Sequence, residues 1–289
     1  MYRGIPQHRT ERSFPKAARH ETPRASMNIE YAQVSDRGQV REQNEDYLGC
    51  AIPATVNQMR TQGWLFALAD GVGGHAQGEV ASRTAVEAML TGFRDADGSE
   101  PLGSLLRRLV QEANGRVLEA AIEAGPSGAG MATTVVACAI RFDRAVVAHV
   151  GDSRCYLVRR GRAVLLTRDH TIANEQVRMG LISSAEAADS RHILSRCLGA
   201  ELAVNADVCE HVVLAGDVLA LCSDGLHGSV SGSEIGSVVR ENRDLSGAAH
   251  TLVSLANQRD GSDNSSVQLV RIVSVERVGT YRGLPYKLR

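Results

Sequence analysis

The chain has 289 residues, 43% of them hydrophobic and 22% charged, with a net charge of -1. That apolar content can bury a substantial core in one large domain or two small ones. The near-zero charge removes any electrostatic reason to expect nucleic acid or an anionic membrane, and no apolar run approaches the ~20 residues of a membrane-spanning helix. The six cysteines, Cys50, Cys138, Cys155, Cys197, Cys209 and Cys222, form no C-x-x-C pair. They read as buried free thiols in a reducing compartment rather than a zinc or disulfide framework, so a soluble cytoplasmic protein is expected.

Residues 1–26 are rich in Arg, His, Pro and Ser, lack apolar periodicity and carry no secretory h-region, which predicts a disordered extension. Met1 and Met27 both stay open as the start of translation. Alternation from Asn28 to Val34 predicts a strand, and Asp36-Arg37-Gly38 a turn into a second strand bearing Arg41, Glu45 and Asp46 at its far end. Adjacent Glu and Asp on a strand point to opposite faces, so one could ligate a cation while the other reaches its water shell. The same stretch also fits a solvated polar edge.

Leu65 to Ala69 is an apolar run that ends at Asp70, passes Gly71, Val72, Gly73, Gly74 and His75, and restarts as a helix over 79–93. Glycines there let backbone carbonyls and the Asp70 side chain face one small object, and with Arg83 the first cation downstream, a hard metal ion suits the corner better than a phosphate. A plain strand-turn-helix corner would show the same pattern. A second amphipathic helix spans 101–124, and the glycines around 125–130 end it. Strands follow at 132–142, 145–150 and 155–160, joined too tightly for helical crossovers and therefore antiparallel. The loop Gly151-Asp152-Ser153-Arg154 reads as a polar hairpin tip. Residues 169–200 read as a mobile insertion of poor core potential. Asp217 to Cys222 then delivers Ser223-Asp224-Gly225, helices are predicted at 234–240 and 245–258, and Asp263-Asn264 opens a last strand.

Glu45, Asp46, Asp70, Asp152, Asp224 and Asp263 thus all fall at strand ends, several beside glycine and none beside a run of Lys. Oxygen-only ligands of this kind suit Mg²⁺ or Mn²⁺, and two such ions can clamp an in-line phosphoryl displacement.

The order of the motifs matters as much as their content: Ser35-Asp36 with Gly38 and Arg41, Asn44-Glu45-Asp46, Asp70-Gly71-Val72-Gly73-Gly74-His75, Gly130-Met131-Ala132-Thr133-Thr134, Gly151-Asp152-Ser153-Arg154, Asp169-His170-Thr171, Ser223-Asp224-Gly225-Leu226 and Asp263-Asn264. From about Ile29 to Val275 the chain resembles the PPM family of metal-dependent Ser/Thr protein phosphatases (protein phosphatase type 2C), in its compact bacterial form. The resemblance implies an α+β fold, a four-layer α-β-β-α sandwich in which helices flank two central antiparallel sheets. It also implies a domain over 27–275 with a flap at about 169–198, and a C-terminal tail over 276–289. Asp70 is implied to bridge two Mn²⁺ or Mg²⁺ ions, one also held by Glu45 and the Gly71 carbonyl, the other by Asp224 and Asp263. Asp152, with Asp224, matches the place where bacterial relatives bind a third ion. Asp46 is implied to orient metal-bound water and Arg41 to grip the substrate phosphate.

The implied activity is hydrolysis of phosphoserine and phosphothreonine on proteins by direct attack of a metal-bridging hydroxide, opposing a Ser/Thr kinase in bacterial signalling. The implied partners are phosphorylated proteins and a cognate kinase, with no nucleic acid, no membrane and a monomeric chain. Three departures stand out. Val72 occupies the place where eukaryotic relatives carry a His proposed as leaving-group acid, Ala132 replaces a common Gly, and Ser265-Ser266 replaces an aliphatic and Thr. A pseudophosphatase used as a binding module is the alternative reading, although such a chain would be expected to lose the carboxylates retained here. A metal phosphoesterase acting on small molecules or lipids is the third.

Overall fold

Strands that are apolar at every position, such as Leu65 to Ala69, need cover on both faces. The computed structural model supplies it. The structure describes residues 27–72, 77–183, 186–187 and 193–276, with the backbone of 278–281 and 284–287. The extension over 1–26, with its expected disorder, lies outside the described residues, as do Gly73, Gly74 and His75.

One sheet runs in the order β2 (Asp46–Ala51), β3 (Trp64–Val72), β5 (Val135–Arg141), β6 (Arg144–Val150), β9 (Asp207–Val212), with β4 (Ala132–Thr133) on the end of β3. The other runs β1 (Asn28–Asp36), β11 (Ser265–Ser274), β10 (Val218–Cys222), β7 (Arg154–Arg159), β8 (Arg162–Leu165). The ladders are antiparallel throughout.

Period-two alternation divides the buried strands between two interfaces. Trp64, Phe66 and Leu68 of β3 and Val136, Cys138 and Ile140 of β5 meet Leu219, Leu221, Val270 and Ile272 from the other sheet. The intervening Leu65, Ala67, Ala69, Val135, Ala137 and Ala139 face α2 (Gly78–Asp95) and α3 (Leu102–Glu123). Alanines on that face let the helices approach closely, and a Cβ on Gly49 would stand 2.6 Å from Leu90. On the far side α6 (Gly232–Glu241) and α7 (Leu245–Arg259) cover Val158, Ala220, Val267 and Leu269. The four layers are therefore helices, sheet, sheet, helices, as the resemblance implies. Ser231 and Glu234 form a reciprocal capping box at the start of α6.

Four local expectations change. Residues 37–45 form a loop, and β2 begins only at Asp46, so Arg41 and Glu45 are loop residues. The Glu45 N–H is drawn out of the ladder by the Asn264 side chain at 2.8 Å. The strands on either side of Asp152 belong to different sheets, because β6 pairs with β5 and β9 while β7 pairs with β10 and β8. Asp152 is thus on a sheet-to-sheet crossover and is buried, which corrects the hairpin-tip reading. Asp263 lies two residues before β11 rather than on it. Lastly, the backbone after 275 pairs as a hairpin, β12 (Val278–Tyr281) with β13 (Leu284–Lys287), where the sequence reads only as a polar tail.

The insertion after β8 carries α4 (Ile172–Arg178); a bridge from Thr171 to Leu194 closes it on itself, and one from Thr133 to Leu198 ties it back to the body. Residues 184–185 and 188–192 of the expected flap lie outside the described residues. The six cysteines are all free thiols.

Candidate active site

Antiparallel pairing brings the acidic strand ends together. Asp46, the first residue of β2, sits directly opposite Asp70 near the end of β3. From the other sheet, β10 ends before Ser223 and Asp224, and β11 begins just after Asp263 and Asn264. The short crossover from β6 to β7 adds Asp152 at the same end.

Each carboxylate is held by its backbone or by a neighbour. The Asp70 N–H donates to Thr134 Oγ1 at 3.1 Å, and its carbonyl accepts from Thr134 N at 2.8 Å and Thr133 Oγ1 at 2.7 Å. With its main chain committed to β4 and β5, the Asp70 side chain projects from a fixed base. Ser223 Oγ donates to Asp46 Oδ2 at 2.7 Å and itself accepts from Ser266 N at 3.0 Å. Asp46 Oδ1 is buried without a hydrogen-bond partner among the described residues. Gly71 N donates to Glu45 O at 3.1 Å. A Cβ on Gly71 would lie 2.4 Å from the Gly78 backbone, so α2 starts hard against the glycine. Gly78 in turn leaves room for the Glu45 carboxylate, 2.6 Å from where a Cβ would be.

Asn264 is the pin of the loop, and the sequence reading passed over its role. Its Oδ1 accepts from Glu45 N at 2.8 Å, and its Nδ2 donates to Arg37 O and Gln43 O, both at 2.9 Å. Ser223 was missed in the same way. Both residues were visible in their motifs, but nothing in a linear sequence says which carboxylate a distant Ser or Asn will hold.

The electrostatics are those of crowded like charges. Burial, then the negative charges of Asp46, Asp224, Asp152 and Asp263, pushes the Asp70 carboxyl well above the usual range. Burial raises Asp46 to about 7, with Asp224 and Asp263 adding to it against hydrogen bonds from Ser266 and Ser223. Asp152 also rises to about 7 through burial, Asp224 and Asp169. Glu45 is raised by burial, with Asp263 and Glu79 adding and Arg41 opposing. The cation placed within this group is Arg41, whose Nη2 lies 2.8 Å from Asp263 Oδ2 while the guanidinium stays 42% exposed. Every site residue predicted from sequence is therefore brought to one end of the sandwich. Arg41 is the outermost, with Nη1 and Nε outside its pair with Asp263.

Carboxylates this close and this buried need positive charge between them. The orphaned Asp46 Oδ1, the oxygen-only donor set and the glycine-cleared space around Glu45 and Gly71 fit divalent ions of the Mg²⁺ or Mn²⁺ type. Beside them a cavity of about 350 Å³ is lined by Asp152, Asp224, Asp169, Arg154, Asn174 and His227. Arg154 closes one wall with a forked pair to Asp169 at 2.9 and 2.6 Å.

A second group of ligand-type atoms, from His149, His170 and Asp207, lies within 4.8 Å of one another. Its geometry argues against a shared ion. The two rings stack 4.7 Å apart with planes 18° apart, and an ion must lie in the plane of each imidazole that binds it. Asp207 is also taken by Arg168 and Arg196 at 2.8 and 3.2 Å. The histidines act as a brace instead. The His170 N–H donates to Gly151 O at 2.9 Å and its Nδ1 accepts from Gly151 N at 3.2 Å, which fixes the residue before Asp152.

Comparison with known proteins places these features in a family. Residues 41–242 match the family described as Protein phosphatase 2C. The serine/threonine phosphatase stp of Listeria welshimeri is 35% identical over 241 residues, covering 82% of this chain and 93% of that protein. The serine/threonine protein phosphatase PstP of Mycobacterium tuberculosis is 35% identical over 260 residues, 88% of this chain but 47% of PstP. Among solved structures, the S. agalactiae serine/threonine phosphatase superposes with a TM-score of 0.77 at 33% identity, covering 85% of this chain and all (100%) of that one. The catalytic domain of PstP, in complex with two manganese ions, gives 0.72 at 35% identity, covering 86% of this chain and 100% of that one.

Proposed function

Because the chain belongs to the PPM family of protein phosphatases (type 2C) and is a protein-serine/threonine phosphatase, we propose that it hydrolyses phosphoserine and phosphothreonine on proteins by direct attack of water on phosphorus, with no phosphorylated enzyme residue. The observation that carries the proposal is the convergence of Glu45, Asp46, Asp70, Asp152, Asp224 and Asp263 around an unpartnered Asp46 oxygen. In this reading Asp70 would help hold two divalent ions, one together with Glu45 and the Gly71 carbonyl and the other with Asp224 and Asp263, and Asp152 with Asp224 would hold a third. Bound there, such ions offset the repulsion between a phosphate dianion and an incoming nucleophile and lower the pKa of water.

The chain's own groups do the rest. Asp46, held by Ser223, keeps one oxygen free to accept a hydrogen bond from a water and orient it. Arg41 carries further N–H donors beside its link to Asp263, enough to align a phosphate for in-line displacement. Val72 offers no proton for the leaving group.

The substrates are phosphorylated proteins made by a Ser/Thr kinase whose action this chain reverses. It works as a monomer and in the cytoplasm, the compartment being supported by six free thiols. No helix among the described residues is long and apolar enough to cross a membrane. The test is turnover of a phosphothreonine peptide before and after exhaustive chelation, and again with Asp70→Asn. Activity is expected to vanish on chelation, return with Mn²⁺ or Mg²⁺, and fall by several orders of magnitude in Asp70→Asn. Full activity without metal, or an Asp70→Asn protein within tenfold of the parent, would place the chemistry elsewhere; inactivity of the parent with metal would favour the binding-module reading.

A further inference from the structure

At the opposite end of the five-stranded sheet, a cavity of about 470 Å³ lies among the turn at Arg160-Gly161, Gly216, the end of α6 and β11. Its charged lining consists of four arginines, Arg160, Arg240, Arg243 and Arg271, without one acidic side chain. On the rim, Glu241 pairs with Arg240 at 3.1 Å and Glu30 with Arg271 at 3.4 Å. Arg160 and Arg243 are exposed and have no acidic partner among the described residues. Arg271 Nη1 also donates to the Arg243 carbonyl at 2.7 Å, which joins two of the four into one wall.

Local structure holds the arginines in place. Gly161 gives up the space where a Cβ would stand 2.7 Å from Arg240 Cδ. Arg160 takes φ 52° in the two-residue turn between β7 and β8, a position that favours Asn, Asp or Gly. Four arginines with only two acidic partners leave the charges of Arg160 and Arg243 uncompensated, and such a cavity calls for an anion. Arginine forks match phosphate oxygens in pairs better than they match a spherical ion. Both terminal segments are themselves cationic: residues 1–26 hold six Lys or Arg against two Glu, and residues 277–289 hold four against none.

We propose that this cavity is a second phosphate site, binding a phosphate-type dianion away from the metal cluster. Arg271 lies on β11 well beyond Asp263, and at ~3.3 Å per strand residue the two ends are on the order of 25 Å apart, so one phosphate cannot touch both. The dianion is either inorganic phosphate or a further phosphorylated residue of a substrate protein. Its supply, though not the site, rests on the phosphatase reading above.

The test titrates inorganic phosphate into the Mn²⁺-loaded full chain by calorimetry, for the parent and for Arg160→Ala/Arg243→Ala. Two phosphates per chain are expected in the parent and one in the variant, with turnover of p-nitrophenyl phosphate equal in both. That turnover also reports an intact fold and metal centre. A variant that binds as many phosphates as the parent overturns the site. Loss of p-nitrophenyl phosphate turnover in the parent overturns the phosphatase reading instead, and leaves the stoichiometry to decide the cavity. A KM for multiply phosphorylated casein that rises about tenfold in the variant, with KM for a singly phosphorylated peptide constant, assigns the site to substrate-borne phosphate. An unchanged KM for casein, with the second phosphate still lost, assigns it to free phosphate.

Discussion

Asn264→Ala tests whether one buried amide holds the 37–45 loop. Asn264 is 3% exposed and makes three side-chain hydrogen bonds, one from Glu45 N and two to Arg37 O and Gln43 O. Alanine removes all three and leaves main-chain groups of the 37–45 loop without their partners. At a net ~1 kcal/mol per bond, the loss is about 3 kcal/mol. In a domain of this size 1 kcal/mol moves Tm by about 2–4 °C, so a fall of about 6–12 °C is expected. The same loop presents Arg41 and Glu45, so the Mn²⁺ concentration for half-maximal activity should rise alongside. Thermal unfolding in chelator isolates the structural part, and a Mn²⁺ titration of phosphopeptide turnover isolates the site. Asn264→Asp keeps the oxygen that accepts from Glu45 N but loses both donors and adds a charge to the acidic cluster, so it should not rescue. A Tm within about 2 °C of the parent, with a superimposable Mn²⁺ curve, would refute the argument that this side chain positions the loop.

Gly78→Ala places a methyl 2.6 Å from Glu45 Oε1, the far end of a flexible side chain. Tm should hardly move while the Mn²⁺ requirement rises, and unchanged metal dependence would show that Glu45 has other room. For the metal-stripped chain, Asp46 and Asp152 rise to about 7 from an ordinary 3.8. An acid raised in the folded state contributes stability that is complete below its unfolded pKa and is lost as pH climbs through the folded one. In chelator Tm should therefore fall from pH 5 to pH 8, with Mn²⁺ restoring most at pH 8; a flat profile in chelator would contradict the crowding of these acids. Asp152→Ala should keep the pair of ions held through Asp70, lower turnover and shift the Mn²⁺ dependence of kcat. A curve identical to the parent's would leave Asp152 a structural residue of the crossover.

The sequence by itself determined the order of the acidic motifs and the periodic elements. Acids beside glycine are visible locally only as candidates, and it is the order of all their motifs along the chain that carries the resemblance. Long amphipathic stretches such as 79–93 and 101–124 emerge as α2 and α3 because each helix carries its whole burial pattern in its own turns. What only the tertiary structure decided was which sheet each strand joins and which distant side chain holds which acid. The tight link at Gly151–Ser153 looks like a hairpin in one dimension. It becomes a crossover because β7 finds better cover between β10 and β8, with Tyr156 and Val158 against α6 and α7 and Cys155 and Leu157 between the sheets. Glu45 likewise leaves the ladder because Asn264, 219 residues away, offers its N–H a better partner. Such choices depend on contacts between segments far apart in the chain, and no local spacing encodes them.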